Sequence, residues 1–157
     1  MNLSYIVIPL IDVIVIVAGN LIIARGVPWY EKLAVSGWKP SVRFLSWVRA
    51  VHLSFNAVSA LIIWNLVSDN RFDFWFIFPF FIIKIFLFLL WSYIIFGAHR
   101  TFLAVFVGLL LCVSELSLIV IIFPFSYIAA ALLLPSLVWA ISATSLTFSV
   151  WSSELRR

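Results

Sequence analysis

Five uninterrupted apolar runs, residues 3–24, 44–67, 74–96, 102–123 and 125–151, dominate this chain. Each reaches the length of about 20 mostly apolar residues that a helix needs to cross a bilayer. Inside lipid the backbone N–H and C=O groups find no water, so a spanning segment must satisfy them internally. Barrel strands would alternate polar and apolar residues, and these runs are continuously apolar. The expected fold is therefore an all-α membrane protein, a bundle of five transmembrane helices that forms one domain over residues 1–157. Only 10% of the residues are charged, against about a quarter in a soluble domain, so the lipid bilayer is the first partner to expect. The last two runs are separated only by Pro124 and its neighbours. One helix through both would be about 75 Å long, more than twice the hydrocarbon thickness, so a hairpin is expected there. The first run has no basic n-region before it and is too long for a cleaved leader, so it is expected to be a retained span.

Residues 25–43, RGVPWYEKLAVSGWKPSVR, form the one long polar segment. A connection of this length is usually functional or disordered, and Trp29, Tyr30 and Trp38 argue against disorder. The segment reads as a structured cap over something held between the helices.

Basic residues set the orientation of such a chain. With the N-terminus outside, the inner connections hold Arg25, Lys32, Lys39, Arg43, Arg100, Arg156 and Arg157, and the outer ones only Arg71. This predicts an outside N-terminus and a cytoplasmic C-terminus. The net charge of +4 then reflects inner loops facing anionic lipid, and nucleic acid is not an expected partner. Trp47, Trp64, Trp75 and Trp151 lie near span ends, as interfacial anchors do.

Ionisable side chains inside spans are costly and mark a bundle interior. Asp12, Lys84 and Glu115 all fall about 18 to 20 Å from the inner end of their spans. One cation and two carboxylates thus share a layer. Lys84 paired with Glu115, Asp12 or both would simply lock the helices together; the alternative is a proton or ion relay. Arg49 and His52 lie nearer the start of the second span, where Arg49 can snorkel to the interface and His52 can line a pocket mouth. No Cys or carboxylate stands at ligand spacing beside His52 or His99, so no metal site is expected, and Cys112 has no partner for an intrachain disulfide. Phosphate-loop, nucleophile-elbow and zinc-protease motifs are lacking. In the fifth span Ser136, Ala140, Ala143 and Thr147 form a face of small residues suited to close helix approach. Trp139 and Trp91 lie too deep for an interfacial belt and read as core or pocket lining.

These residues carry a resemblance. WYEKLAVSGWKPS in the cap, RAVHLSFNAVSALIIW in the second span, Leu87, Trp91, Phe96 and Gly97 in the third, and PSLVWAISATSLT in the fifth occur in order and at similar spacing to the motifs of the translocator protein family. That family is also called the tryptophan-rich sensory proteins or peripheral-type benzodiazepine receptors, and this chain resembles a divergent member. The resemblance implies a five-helix bundle, often a homodimer, with a pocket closed by the first loop. It implies a hydrophobic small-molecule ligand such as a tetrapyrrole (a porphyrin or haem-like molecule), with no cofactor required. Trp29, Trp38, Arg49, His52, Trp91, Trp139, Ala143 and Leu146 become the expected ligand-binding residues. Arg49 stands where the family has a tryptophan linked to porphyrin chemistry, Val107 stands at an acidic position, and the C-terminal sterol motif is not matched. Three functions compete: a binding protein that senses or moves its ligand, a light-dependent porphyrin-degrading enzyme, and a small proton-coupled carrier built on Asp12, Lys84 and Glu115. A structural subunit without a ligand is the bland alternative.

Overall fold

The computed structural model describes residues 4–32 and 40–155. They form five helices: α1 (Ser4–Lys32), α2 (Val42–Val67), α3 (Arg71–Phe96), α4 (Thr101–Ile122) and α5 (Tyr127–Leu155). All five are long and apolar enough to cross a membrane. The connections from α2 through α5 are short, so neighbours in sequence run antiparallel. In cross-section the helices form a ring. α4 packs extensively on α3 and α5, α5 continues on to α2, and α1 closes the ring against α2 and α3.

The outer surface of the bundle, unlike that of a soluble protein, is apolar. Large apolar side chains such as Ile14, Leu21, Phe86 and Val120 point outward, where lipid is as good a solvent as a core. Arg49, His52, Asn56, Ser59, Lys84, Ser92, Glu115, Ser136 and Thr147 are buried, because an unpaired polar group facing lipid costs several kcal/mol. Polar residues therefore mark the interior here. On α2 one stripe of Leu45, Arg49, His52, Asn56, Ser59, Ile63 and Val67 faces inward.

Small residues set the closest approaches. A Cβ added at Gly108 of α4 would lie 2.5 Å from Thr144 Oγ1 of α5, and the face expected from sequence, Ser136, Ala140, Ala143 and Thr147, is buried. At Gly26 an added Cβ would lie 2.5 Å from the Phe96 carbonyl oxygen. Only glycine lets the end of α1 lie on the end of α3.

That contact corrects the boundary expected for the first span. The helix does not stop at residue 24 but runs to Lys32, so the first part of the 25–43 segment is helical rather than a free cap. The reason is tertiary. Gly26 and Tyr30 continue the buried stripe of α1, and the Tyr30 hydroxyl donates a buried 2.9 Å bond to the Pro40 carbonyl. α2 begins at Val42, where the Ser41 hydroxyl caps the Phe44 N–H at 3.3 Å. At the other extreme α5 continues beyond residue 151 to Leu155, tied to the start of α4 by a 2.5 Å bond from the Thr101 hydroxyl to Glu154. In the α3–α4 turn His99 adopts φ 54° and stacks on Trp29 with ring centroids 4.5 Å apart. Trp47 and Trp75 are exposed as interfacial anchors should be, whereas Trp64 packs edge-on against Phe74 and Phe78.

Candidate functional site

Among the described residues two cavities stand out inside the ring, one towards the Lys32 end of α1 and one towards its Ser4 end. The Lys32-end cavity has a volume of about 30 Å³ and is lined by Trp29, Tyr30, Pro40, Arg49, Trp91, Trp139, Ala143 and Leu146, among others. The stripes of α1, α2 and α5 bring these residues together, with α3 supplying Trp91. Of the residues expected from sequence, Trp29, Arg49, Trp91, Trp139, Ala143 and Leu146 meet here. Trp38 lies outside the described residues. His52 does not line this cavity. Ile23, Leu45 and Ile95 line it without having been singled out, and Tyr30 and Thr147, noted for other reasons, line it too. Tyr30 had a sequence signal, standing beside Trp29; the aliphatic residues had none, since every span is rich in them.

Arg49 does not snorkel to the interface. It is 1% exposed, because it shares the inward stripe of α2 with Leu45 and His52. Its Nη2 donates to the Asn20 side-chain oxygen of α1 and, at 3.4 Å, to the Ser46 hydroxyl. No carboxylate pairs with it among the described residues, and its Nε–H has no acceptor. The indole N–H of Trp91 is likewise buried without a partner among the described residues. The cavity thus has aromatic walls and two donors lacking acceptors, one of them on a cation.

The Ser4-end cavity is larger, about 140 Å³, and all five helices line it. Most of its wall is apolar, from residues such as Val15, Leu53, Phe81, Phe88 and Leu111. One side is polar. Lys84 Nζ of α3 lies 2.9 Å from Glu115 Oε1 of α4 and donates at 2.8 Å to the Asn56 side-chain oxygen of α2. The Asn56 amide donates to the Ser136 hydroxyl at 3.2 Å, and Ser136 donates to Glu115 Oε1. His52 Nδ1 lies 3.4 Å from the same hydroxyl. The Lys84–Glu115 ion pair therefore sits in a network spanning four helices. Such burial is tolerable because each charge is both paired and hydrogen-bonded. Asp12 lines the same cavity but is half-buried and makes no ion pair among the described residues. The expected cluster of three is a pair with a bystander. His52 is 3% exposed and belongs to this network rather than to a pocket mouth. No group of three or more His, Cys, Asp or Glu side chains is placed to hold a metal among the described residues.

Between the two cavities stands Trp139, which lines both. Its indole stacks on the His52 ring.

Comparison with known proteins bears on the family of the chain. Residues 6–152 match the sequence profile of the TspO/MBR family. The chain is also similar to the tryptophan-rich protein TspO of Bacillus cereus, at 30% identity over 124 residues, which cover 79% of each chain. The matched region runs through all five membrane-crossing helices and both cavities, and this multi-pass integral membrane protein belongs to the TspO/MBR family.

Proposed function

We propose that the Lys32-end cavity receives a hydrophobic molecule bearing an acidic group, with tetrapyrroles that carry propionate arms as the fitting class. The protein then holds this ligand for sensing or passage rather than converting it. The observation that carries the reading is the pair of donors without acceptors, Arg49 Nε and Trp91 Nε1, on two residues that line one aromatic cavity. A buried guanidinium without a counter-charge is costly, and a ligand carboxylate would supply both the charge and the missing acceptor. Trp29, Trp139 and Leu146 offer flat and aliphatic surface to a macrocycle. The acid group fits the donors, but the ring does not fit the volume. About 30 Å³ is far below the roughly 300 Å³ at the low end of small-molecule sites, so binding must part the helices. Arg49 also favours holding over conversion. A guanidinium stands where the family carries a tryptophan, and unlike an indole it is not readily photo-oxidised. The excess of basic residues at the Lys32 end supports placing that end, and the C-terminus, on the cytoplasmic side.

The test is a titration of the full chain in phospholipid nanodiscs with protoporphyrin IX and with its dimethyl ester, read by tryptophan fluorescence. The free acid should quench saturably and the ester bind at least about tenfold more weakly, since a hydrogen bond to a charged group contributes about 1.5–3 kcal/mol. Arg49→Gln should remove the difference. Equal affinity for acid and ester, or quenching without saturation, would overturn the reading.

A further inference from the structure

The Ser4-end cavity has a polar side whose hydrogens can be counted. Ser136 has one hydroxyl proton, and it goes to Glu115 Oε1. Its oxygen therefore accepts from the Asn56 amide and, at 3.4 Å, from His52 Nδ1. In a neutral imidazole this places the proton on Nδ1 and leaves Nε2 as an acceptor. Nε2 is buried without a donor among the described residues, and so is Glu115 Oε2. Lys84 has three N–H groups, of which two are used, on Glu115 and Asn56. Two acceptors and one donor are thus unfilled on His52, Glu115 and Lys84, which all line the cavity. A hydroxyl group both donates and accepts, and so can fill one of the two acceptors together with the donor. A carboxylate would meet the two acceptors without a proton to give them.

The remaining wall is apolar, and the volume of about 140 Å³ matches the roughly 150 Å³ at which an engineered apolar cavity takes up benzene. That limits an occupant to about one ring. Access is lateral. Ile11 of α1 and Ile82 of α3 both line the cavity and are 44% and 66% exposed on the lipid-facing surface. These two helices are neighbours in the ring.

We propose that this cavity is a second binding site, separate from the Arg49 cavity, for compact single-ring alcohols and phenols that enter from the bilayer between α1 and α3. The ring packs among Leu53, Phe81 and Phe88. The hydroxyl donates to His52 Nε2 or Glu115 Oε2 and accepts from Lys84, leaving the Lys84–Glu115 pair intact.

The experiment uses the full chain in phospholipid nanodiscs, with 4-fluorophenol and fluorobenzene as probes, followed by fluorine NMR against empty nanodiscs. 4-Fluorophenol should bind saturably, and fluorobenzene at least about tenfold more weakly, from the loss of hydrogen bonds to charged groups. Ala57→Phe, which fills the cavity from α2, should abolish 4-fluorophenol binding and leave porphyrin quenching at the other cavity unchanged. His52→Phe should bring the phenol down towards the fluorobenzene value. Equal affinity for the two probes, saturation that survives Ala57→Phe, or no signal beyond empty nanodiscs (the outcome if water alone fills the site) would overturn the proposal. If Ala57→Phe does not fold, the comparison of the two probes on the unaltered chain still decides. Failure here would leave the reading of the Arg49 cavity untouched, since that rests on a different ligand and different residues.

Discussion

The imidazole of His52 stacks on the indole of Trp139, with ring centroids 5.8 Å apart and planes 25° from parallel. This pair is the partition of the bundle. Arg49, one turn before His52 on α2, belongs to the Lys32-end cavity, and His52 belongs to the Ser4-end cavity. Truncating Trp139 to alanine should join the two spaces. The lost packing is worth about 3–5 kcal/mol for a buried large aromatic residue, and a thermal melt of the purified protein should show it as a clear drop in Tm. A Tm within a degree of the unaltered protein would mean the indole is not holding the helices apart.

The Lys84–Glu115 pair makes a second prediction. Removing one partner strands a buried charge, and Lys84→Met or Glu115→Leu alone should each destabilise by about 3–5 kcal/mol. The double replacement Lys84→Met with Glu115→Leu strands nothing charged and should recover most of that loss. Denaturant unfolding of the four proteins gives the coupling directly. Strictly additive losses would show that the 2.9 Å contact carries no coupling.

Two glycines should respond differently to the same methyl group. At Gly26 the obstacle is the backbone of Phe96, 2.5 Å away, which cannot yield without moving α3. At Gly108 it is the side chain of Thr144, which is held by a 2.7 Å bond to the Ala140 carbonyl but is removable. Gly108→Ala should therefore be rescued by Thr144→Ala, whereas Gly26→Ala should have no single side-chain rescue. Overpacking of this kind costs about 1–3 kcal/mol, and melting curves of the single and double variants decide it.

Tyr30→Phe removes the bond to the Pro40 carbonyl and leaves the ring against Phe96, 5.8 Å away. A stability loss of about 1 kcal/mol is expected, with amide exchange quickening at the end of α1 and at residues 40–45 before it does elsewhere. Uniform quickening across all five helices would show that the bond is not local in its effect.

Orientation is tested without any ligand. A phosphatase reporter that is active only outside the cell should be silent at the C-terminus, and a cysteine placed at Asn70 should label from outside. The reverse pattern would mean that the seven-to-one distribution of basic residues does not govern insertion.

The five helices were legible in the sequence because lipid imposes one requirement, length of apolar chain, which can be counted along a strand of letters. Trp91, Trp139, Ala143 and Leu146 were legible too, through their spacing and their resemblance to family motifs. Arg49 lines the cavity expected of it but does not snorkel to the interface. From sequence it stands near a span end, where snorkelling costs nothing, and only its place on the inward stripe of α2 turns it away from the interface. Asp12, Lys84 and Glu115 share one depth, but depth fixes the height of a residue and not its angle around the helix. The angle pairs Lys84 with Glu115 and leaves Asp12 aside.

By itself, then, the sequence determined that this chain lives in a bilayer as five helices, and which family its motifs resemble. Apolar length and local spacing are properties of the chain alone. The tertiary structure decided where α1 ends, which polar groups find partners, and that the interior holds two cavities of opposite demand rather than one. Those follow from contacts between helices, such as Gly26 on Phe96, Ser136 on Glu115 and His52 on Trp139, whose partners lie too far apart along the chain for any local pattern to pair them.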